Sequence, residues 1–342
     1  MKYTIILRLT TLFASALIFF TACKDELNTV EGWKDIPVVY GLLSLNDTAT
    51  YLRVEKAFVD PNKSAFDIAQ IPDSLYYKDV TVSLVRTRNN ERFNLTKVDG
   101  NTEGYPRNDG IFAKSPNFLY KIKNTTLNLQ SDEEWRIELL RKGETKAFAK
   151  STTKVIGNYE VTTPGTAPIF LRYDNTLNVT IETEEKSARL VDIKVVVNYD
   201  EVDATTPNQT TPKSISWNYV TGGQRKLNGT VADPIVSFSR RGLDFYQYLG
   251  DNMAVIPGVK RTFKTIDIEV YTGGQELIDF ITIGIANTGI TGSQTIPTFT
   301  NIENGLGIFS SKNKTVKKGV RISDVALDLL INGEYTKKLN FK

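Results

Sequence analysis

Histidine is absent from this chain of 342 residues, and Cys23 is its single cysteine. Without histidine there is no Ser/His/Asp or Cys/His catalytic site, no histidine-ligated zinc and no imidazole to act as a general base. One cysteine forms no internal disulfide and supplies too few thiols for a zinc or iron–sulfur site. Because few routes to an activated nucleophile are left, the sequence predicts a protein that is not an enzyme and holds no cofactor or metal.

An excess of charge of one sign is also lacking. The chain has 42 Lys and Arg residues against 39 Asp and Glu, which gives a formal net charge of +3, and the charges are interspersed. A nucleic-acid-binding protein needs a basic face, so this class of partner is excluded. At 40% hydrophobic and 24% charged residues, the composition is that of an ordinary folded chain. Its length allows two domains of roughly 100–200 residues each.

Residues 1–22 have the pattern of a secretory signal peptide, with a positively charged start at Lys2 and Arg8 and a short apolar segment over residues 9–20. The apolar segment is shorter than the about 20 residues that a membrane-spanning helix needs. The letters F-T-A-C that end at Cys23 resemble the lipobox of bacterial lipoproteins. This resemblance implies cleavage before Cys23 and a lipid on its sulfur, since several acyl chains give stable membrane attachment. The alternative is an ordinary signal peptide followed by an unpaired cysteine.

A charged tether over residues 23–34 follows the cleavage site. Its residues Lys24, Asp25 and Glu26 resemble the lysine-plus-two-acids export signal of Bacteroidota surface lipoproteins. The resemblance implies a lipid-anchored protein that faces the cell surface from the outer membrane. The alternative is a hydrophilic tether whose charges carry no export signal.

Most of the remaining chain alternates apolar and polar residues with a period of two, which is typical of β-strands that bury one face. Such strands form mostly antiparallel sheets, so the predicted fold class is mostly β, with two antiparallel β-sandwich domains. The clearest strand patterns lie at residues 80–84, 135–139, 191–199, 215–219 and 266–270.

The predicted domains are residues 35–155, an immunoglobulin-like or transthyretin-like β-sandwich, and residues 156–342, a larger β-sandwich with short helical insertions. Three helices are predicted. Ser64 caps the first, which Pro72 stops; the second follows Ser239; and Thr272 caps the third in a capping box with Gln275.

Residues 301–309 form the pattern N-I-E-N-G-L-G-I-F. This pattern resembles the N-I-E-N-G-L-G-x-F motif of an uncharacterised family of Bacteroidota outer-membrane lipoproteins, whose genes often lie beside TonB-dependent receptors. Residues 39–43, 51–58 and 71–74 are similar to the first hairpin and the next loop of that family. The family brings no established function or binding residues.

The glycine spacing within this motif predicts a tight structural turn rather than a phosphate-binding loop, because the Walker lysine is missing. We expect Asn304, Gly305 and Gly307 to form this turn and to support the C-terminal domain.

Other residues suggest weaker hypotheses. Thr48 and Ser74 lie in D-T-A and D-S-L tripeptides, which resemble the O-glycosylation sequon of Bacteroidota. The densest acidic groups could serve glycoside hydrolysis or, near residue 200, calcium binding, but solvated loop ends explain them better. Two groups of aromatic residues could form a ligand platform, although core packing or a protein interface is the favoured interpretation. The acidic groups are Asp132–Glu134, Glu184–Glu185 and Asp200–Asp203, and the aromatic groups are Tyr76 with Tyr77 and Phe245 with Tyr246 and Tyr248.

The address and the family resemblance together imply a surface-exposed, non-enzymatic lipoprotein that acts as an accessory or binding component of a TonB-dependent uptake system. Its expected partners are the outer membrane, through the lipid anchor, and a TonB-dependent outer-membrane receptor. The alternative is an adhesin or an envelope-structural lipoprotein.

Overall fold

The structure is a computed structural model that describes residues 36–57, 63–183, 186–228, 231–286 and 298–342. It is mostly β, with several sheets in a sandwich-like fold and with helical insertions, so the predicted fold class is confirmed. All five of the clearest strand patterns lie in strands of the structure. Within these ranges, no helix is both long enough and apolar enough to cross a membrane.

The strands build both hydrophobic cores. In the described residues they are β1 (Pro37–Leu43), β2 (Ala49–Lys56), β3 (Val80–Arg86), β4 (Glu91–Asn94), β5 (Thr96–Asp99), β6 (Phe118–Lys123), β7 (Glu134–Arg141), β8 (Ala149–Lys154), β9 (Glu160–Thr163), β10 (Thr176–Glu182), β11 (Leu190–Asp203), β12 (Thr210–Gln224), β13 (Leu227–Asn228), β14 (Val231–Ala232), β15 (Ile235–Arg241), β16 (Val259–Gly273) and β17 (Leu306–Val320).

The helices are short and lie between strands. They are α1 (Ala65–Ala69), α2 (Pro72–Leu75), α3 (Asn124–Leu127), α4 (Gly242–Asn252), α5 (Gln275–Ala286) and α6 (Asp324–Asn332), and a 3₁₀ turn follows at Lys337–Leu339.

An eight-stranded sheet in the order β12-β11-β16-β17-β1-β2-β6-β5 runs through the whole molecule. A four-stranded sheet (β4-β3-β7-β8) and a three-stranded sheet (β15-β10-β9) accompany it. Strand β17 joins the two halves of the large sheet. Its first part pairs in parallel with β1, where Val39 lies opposite Gly307, and its later part pairs antiparallel with β16, where Gly273 lies opposite Lys312.

Two hydrophobic clusters form the cores of the sandwiches. The first includes Leu52, Leu84 and Trp135, and the second includes Val195 and Ile268. Val155 belongs to the first cluster and Ile156 to the second. However, Ile302 and Phe309, from near the end of the chain, are buried in the first cluster. The first sandwich is therefore completed by residues that follow the second one in the sequence.

The helix predictions succeed where the signal is local. Ser64 caps α1 as predicted, because its Oγ accepts a hydrogen bond from the Phe66 N–H at 3.2 Å. The capping role predicted for Thr272 is wrong: Thr272 lies in β16, where it pairs with both neighbouring strands, and α5 begins at Gln275. The second helix follows Ser239 as predicted and is α4, while Ser239 itself lies in β15.

Candidate functional site

A groove of about 500 Å³ opens on the face of the large sheet opposite the second core, between α5 and the β1–β2 turn. We call it the α5 groove. Its walls are mostly apolar, and charged side chains surround its mouth. Apolar and aromatic lining comes from Leu42, Leu190, Tyr271, Leu277, Ile281 and Val316, and the polar lining includes Asn46, Asp47, Asp192, Lys312 and Lys314.

The floor of the groove is a set of side chains that the strand registers align. Asp192 of β11 lies opposite Tyr271 of β16, which lies opposite Lys314 of β17. Because side chains alternate across a strand, these three share the face opposite Val191 and Ile193, which are buried in the second core. Three strands thus place an aromatic ring between an acid and a base.

Helix α5 forms one wall and packs on the sheet near Gly273. A Cβ atom at Gly273 would lie 2.6 Å from Leu277 Cδ2, so a side chain at this position would displace the Leu277 side chain. Phe280 packs edge-on against Tyr40 of β1, with ring centroids 6.4 Å apart. Ile281 remains 41% exposed at the mouth of the groove.

Glu269 organises the charges beside Tyr271. It accepts hydrogen bonds from the Tyr271 hydroxyl at 2.6 Å and from Lys314 Nζ at 2.8 Å. Burial raises the pKa of the Glu269 carboxyl, but the bonds from Lys314 and Tyr271 outweigh burial and hold this pKa below its ordinary value.

The pKa values of Tyr271 and Lys314, the two hydrogen-bond partners of Glu269, are raised. Burial, and then the bond to Glu269, raises the pKa of Tyr271; the bond to Glu269 raises the pKa of Lys314. At neutral pH the floor therefore holds a carboxylate, an ammonium group and a neutral phenol.

The ring of Tyr271 also lies close to two cations. Lys314 Nζ is 5.0 Å from the ring centroid, and Lys194 Nζ is 5.3 Å from it. Cations at this distance interact favourably with an aromatic face. These contacts fix the ring as part of the floor.

The β1–β2 turn forms the opposite wall. The Asn46 side-chain amide donates to the Lys314 backbone oxygen at 2.7 Å and to Asn313 Oδ1 at 2.5 Å, which ties the turn to β17. At the mouth, Lys312 Nζ is 3.8 Å from Asp47 Oδ2 and about half exposed. An ion pair this long and exposed contributes little, so the Lys312 ammonium can take another anion.

The predicted lipidation and export residues Cys23, Lys24, Asp25 and Glu26 lie outside the described residues. Of the two O-glycosylation candidates, Thr48 is exposed in the β1–β2 turn, beside the groove residue Asp47, whereas Ser74 is half-buried on α2.

The late motif forms a turn with left-handed backbone at Asn304 (φ 57°) and at Gly307 (φ 100°). A Cβ atom at Gly305 would lie 2.8 Å from both the Pro37 carbonyl oxygen and Ile302 Cγ2. The expectation that the motif supports the C-terminal domain is wrong, because Ile302 and Phe309 pack in the first cluster. The parallel pairing with β1 carries them there.

The acidic groups are engaged in structural contacts. Asp200 pairs with Lys264 at 2.9 Å and Glu201 pairs with Arg261 at 2.9 Å, while Glu184 and Glu185 lie outside the described residues. In the part of the chain that the structure describes, no group of three or more acidic or thiol side chains is arranged to hold a metal ion.

The aromatic groups follow the favoured interpretation of core packing. Tyr76 and Tyr77 are buried, as are Phe245 and Tyr246, so none of these four forms an exposed platform. Tyr248 is half-buried, and its hydroxyl donates to the Ser216 backbone oxygen at 2.5 Å.

Sequence reasoning did not identify the α5 groove. Its lining comes from β1, the β1–β2 turn, β11, β16, α5 and β17, which are far apart in the sequence. The available local signal was the run of large apolar residues in α5, of which Ile281 stays exposed.

No protein-family model and no curated protein matches this chain. Among solved structures, it is similar to a two-domain protein of unknown function from Bacteroides fragilis NCTC 9343, at 10% identity over 60% of this chain and 89% of that one, with a TM-score of 0.17. It is also similar to the calcium binding domain CBD12 of CALX1.1, at 9% identity over 80% of this chain and 98% of that one, with a TM-score of 0.15. Identities and TM-scores this low say nothing about what the chain binds.

Proposed function

We propose that the protein is a lipid-anchored, non-enzymatic binding component of a TonB-dependent uptake system in the outer membrane. The observation that carries the binding role is the α5 groove, whose walls are mostly apolar and whose volume is about 500 Å³. Small-molecule sites are concave, mostly apolar and furnished with a few polar groups that orient the ligand, and the groove has these properties. The lipobox-like sequence at Cys23 and the export-like residues after it support the membrane location.

The groove favours a ligand with an apolar body and an anionic group. The apolar body would contact Leu190, Leu277 and Ile281, and the anionic group would lie near the exposed Lys312. The Lys314 ammonium is already paired with Glu269 and serves as part of the wall.

Anilinonaphthalene sulfonate has this chemistry and is a suitable probe of the groove. We expect the folded protein to bind the dye with enhanced fluorescence, and Ile281→Glu to weaken binding by about tenfold, because a charge replaces an apolar wall. Ile235→Glu is the matched control, since Ile235 is 52% exposed on β15 and does not line the groove. Equal binding by both variants would refute the groove as the binding site.

The partner is tested in cells. After crosslinking and mild detergent extraction, mass spectrometry should recover the protein together with a TonB-dependent receptor. Recovery of the protein alone, or with peptidoglycan-associated components only, would favour the envelope-structural alternative. A hydrolytic activity abolished by changing Glu184 or Glu185 would contradict the non-enzymatic role.

A further inference from the structure

Two loops at one end of the first sandwich expose large apolar side chains. The α1–α2 region contributes Phe66 and Ile71, and the loop between β5 and β6 contributes Tyr105, Ile111 and Phe112; their exposed fractions range from 36% to 65%. We call this surface the loop end. Solvent-exposed patches of large apolar side chains mark protein or membrane contact sites.

Hydrogen bonds hold the two loops together. The Ala113 N–H donates to the Ala69 oxygen at 2.9 Å, and the Gln70 side-chain amide donates to the Ile111 oxygen. Within the second loop, the Asn117 amide donates to the Tyr105 oxygen at 2.8 Å. The exposed apolar side chains are therefore carried by a backbone that these hydrogen bonds hold in place.

The loop end is also the end at which the first described residues lie. Pro37, at the start of β1, lies opposite Lys56, at the end of β2, and the Ala57 N–H donates to the Ile36 oxygen at 2.8 Å. Strand β6 runs antiparallel to β2, so its first residue, Phe118, and the loop that precedes it lie at this same end.

The tether predicted from the sequence leads directly to this end. Cys23 and Ile36 are 13 residues apart. A chain of that length spans at most about 45 Å when fully extended. A lipid on Cys23 would therefore keep the loop end close to the membrane surface.

The charges of the loop end cancel, so electrostatic attraction to an anionic surface does not explain the exposed apolar residues. Residues 63–78 and 100–117 contain four basic and four acidic side chains. The basic ones are Lys63, Lys78, Arg107 and Lys114, and the acidic ones are Asp67, Asp73, Glu103 and Asp109.

We propose that the loop end docks on the membrane that holds the lipid anchor, with its exposed apolar side chains inserted at the boundary between headgroups and acyl chains. This inference rests on the proposed lipidation of Cys23. Apolar side chains at such an interface bind by the area they bury and add to the anchoring by acyl chains.

Docking in this way sets the orientation of the whole molecule. Strand β1 has 7 residues and leads from the loop end toward the α5 groove. At about 3.3 Å per residue, Leu42 at the edge of the groove lies about 17 Å from Pro37 at the loop end. The second sandwich, which contains the later residues of β17, lies farther from the loop end, so the groove is held at a distance from the lipid.

The test uses the lipidated full-length protein in vesicles of palmitoyl-oleoyl phosphatidylcholine. Because lipidation occupies the sulfur of Cys23, an introduced cysteine is the only free thiol and can carry a polarity-sensitive fluorophore. Phe66→Cys and Ile111→Cys place the fluorophore on the two loops. Val255→Cys is the control, since Val255 is 57% exposed in the loop before β16, at the far end of the molecule.

We expect lipid-borne quenchers to reduce the emission at residues 66 and 111 severalfold and to leave the emission at residue 255 unchanged. High salt should not alter this result, because the loop end carries no net charge. Unquenched fluorophores at residues 66 and 111 in vesicle-bound protein would overturn the proposal. The proposal would also be overturned if the emission at residues 66 and 111 changed only after outer-membrane proteins were added to the vesicles. The loop end would then be a protein-docking surface.

A second measurement separates docking from anchoring. Mature protein with Cys23→Ser is mixed with excess vesicles, and its partition is compared with that of the Phe66→Ser, Ile111→Ser and Val255→Ser derivatives. Each loop substitution should weaken partition by about tenfold, and the control should not. Equal partition of all derivatives would overturn docking, whereas loss of the lipidated protein from vesicles would refute only the anchor.

Discussion

Replacement of Gly307 by alanine should weaken the parallel pairing of β17 with β1. Gly307 lies in β17 opposite Val39 of β1, and its φ is 100°, outside the regions that residues with a side chain adopt readily. A Cβ atom here would overlap the Val39 carbonyl oxygen and lie 2.9 Å from the carbonyl carbon. The obstacle is backbone, so it cannot be relieved by a change of rotamer.

The loss of stability has two parts, the cost of the backbone conformation and the cost of the steric overlap, and a control variant separates them. Gly143 has a φ of 80°, and a Cβ atom there would meet nothing within 4 Å, so Gly143→Ala carries only the conformational term, about 1 kcal/mol. Gly307→Ala adds the displacement of one strand from another, about 1–3 kcal/mol. We therefore expect a total near 3 kcal/mol, equivalent to a fall in Tm of about 6–12 °C.

Thermal and urea unfolding of the mature protein with Cys23→Ser would measure this difference. Trp135 is buried in the first cluster and Trp217 in the second, and the third tryptophan of the sequence is Trp33, so a background with Trp33→Phe and Trp217→Phe reports the first core by fluorescence. The loss should appear in this signal, because Phe309 enters the first core directly after Gly307. Equal unfolding midpoints for Gly307→Ala and Gly143→Ala would refute the role of close strand approach.

Three further predictions concern the anchor, the second core and the groove. Cys23→Ser should release the protein from membranes in fractionation, and a variant that still pellets like the wild type would contradict lipid anchoring. Tyr246→Phe should reduce the free energy of unfolding by about 1–2 kcal/mol in urea, because the single proton of the buried hydroxyl is shared between two backbone carbonyl oxygens at 3.0 and 3.1 Å and this hydrogen bonding would be lost; Tyr248→Phe, at a half-buried position, should cost less. Because the pKa of Glu269 is lowered from 4.5, its bond with Lys314 should stabilise the protein fully above about pH 4.5 and progressively less as the pH falls. The difference in Tm between wild type and Glu269→Gln should shrink over that range, and a constant difference would contradict the ionic contribution.

Local sequence patterns predicted much of the secondary structure. Alternation identified the strands at residues 191–199 and 266–270 because each buries one face. Burial of one face produces a period of two in the strand's own sequence. Ser64 was identified as a cap because the capping bond joins residues two apart. The same reasoning failed at Thr272, where pairing with two neighbouring strands, which are distant in the sequence, overrides the capping pattern.

Only the tertiary structure decided which distant segments meet. No local pattern shows that β17 lies parallel to β1, since parallel pairing is set by the path of the chain between the strands. That pairing carries Phe309 into the first core and brings β17 under α5. The sequence by itself determined the strand character and the need for glycine at the turn, and it carries the proposal of a lipid anchor at Cys23. The groove depends on side chains from elements more than 200 residues apart, such as Leu42 and Ile281, and only folding places them on one surface.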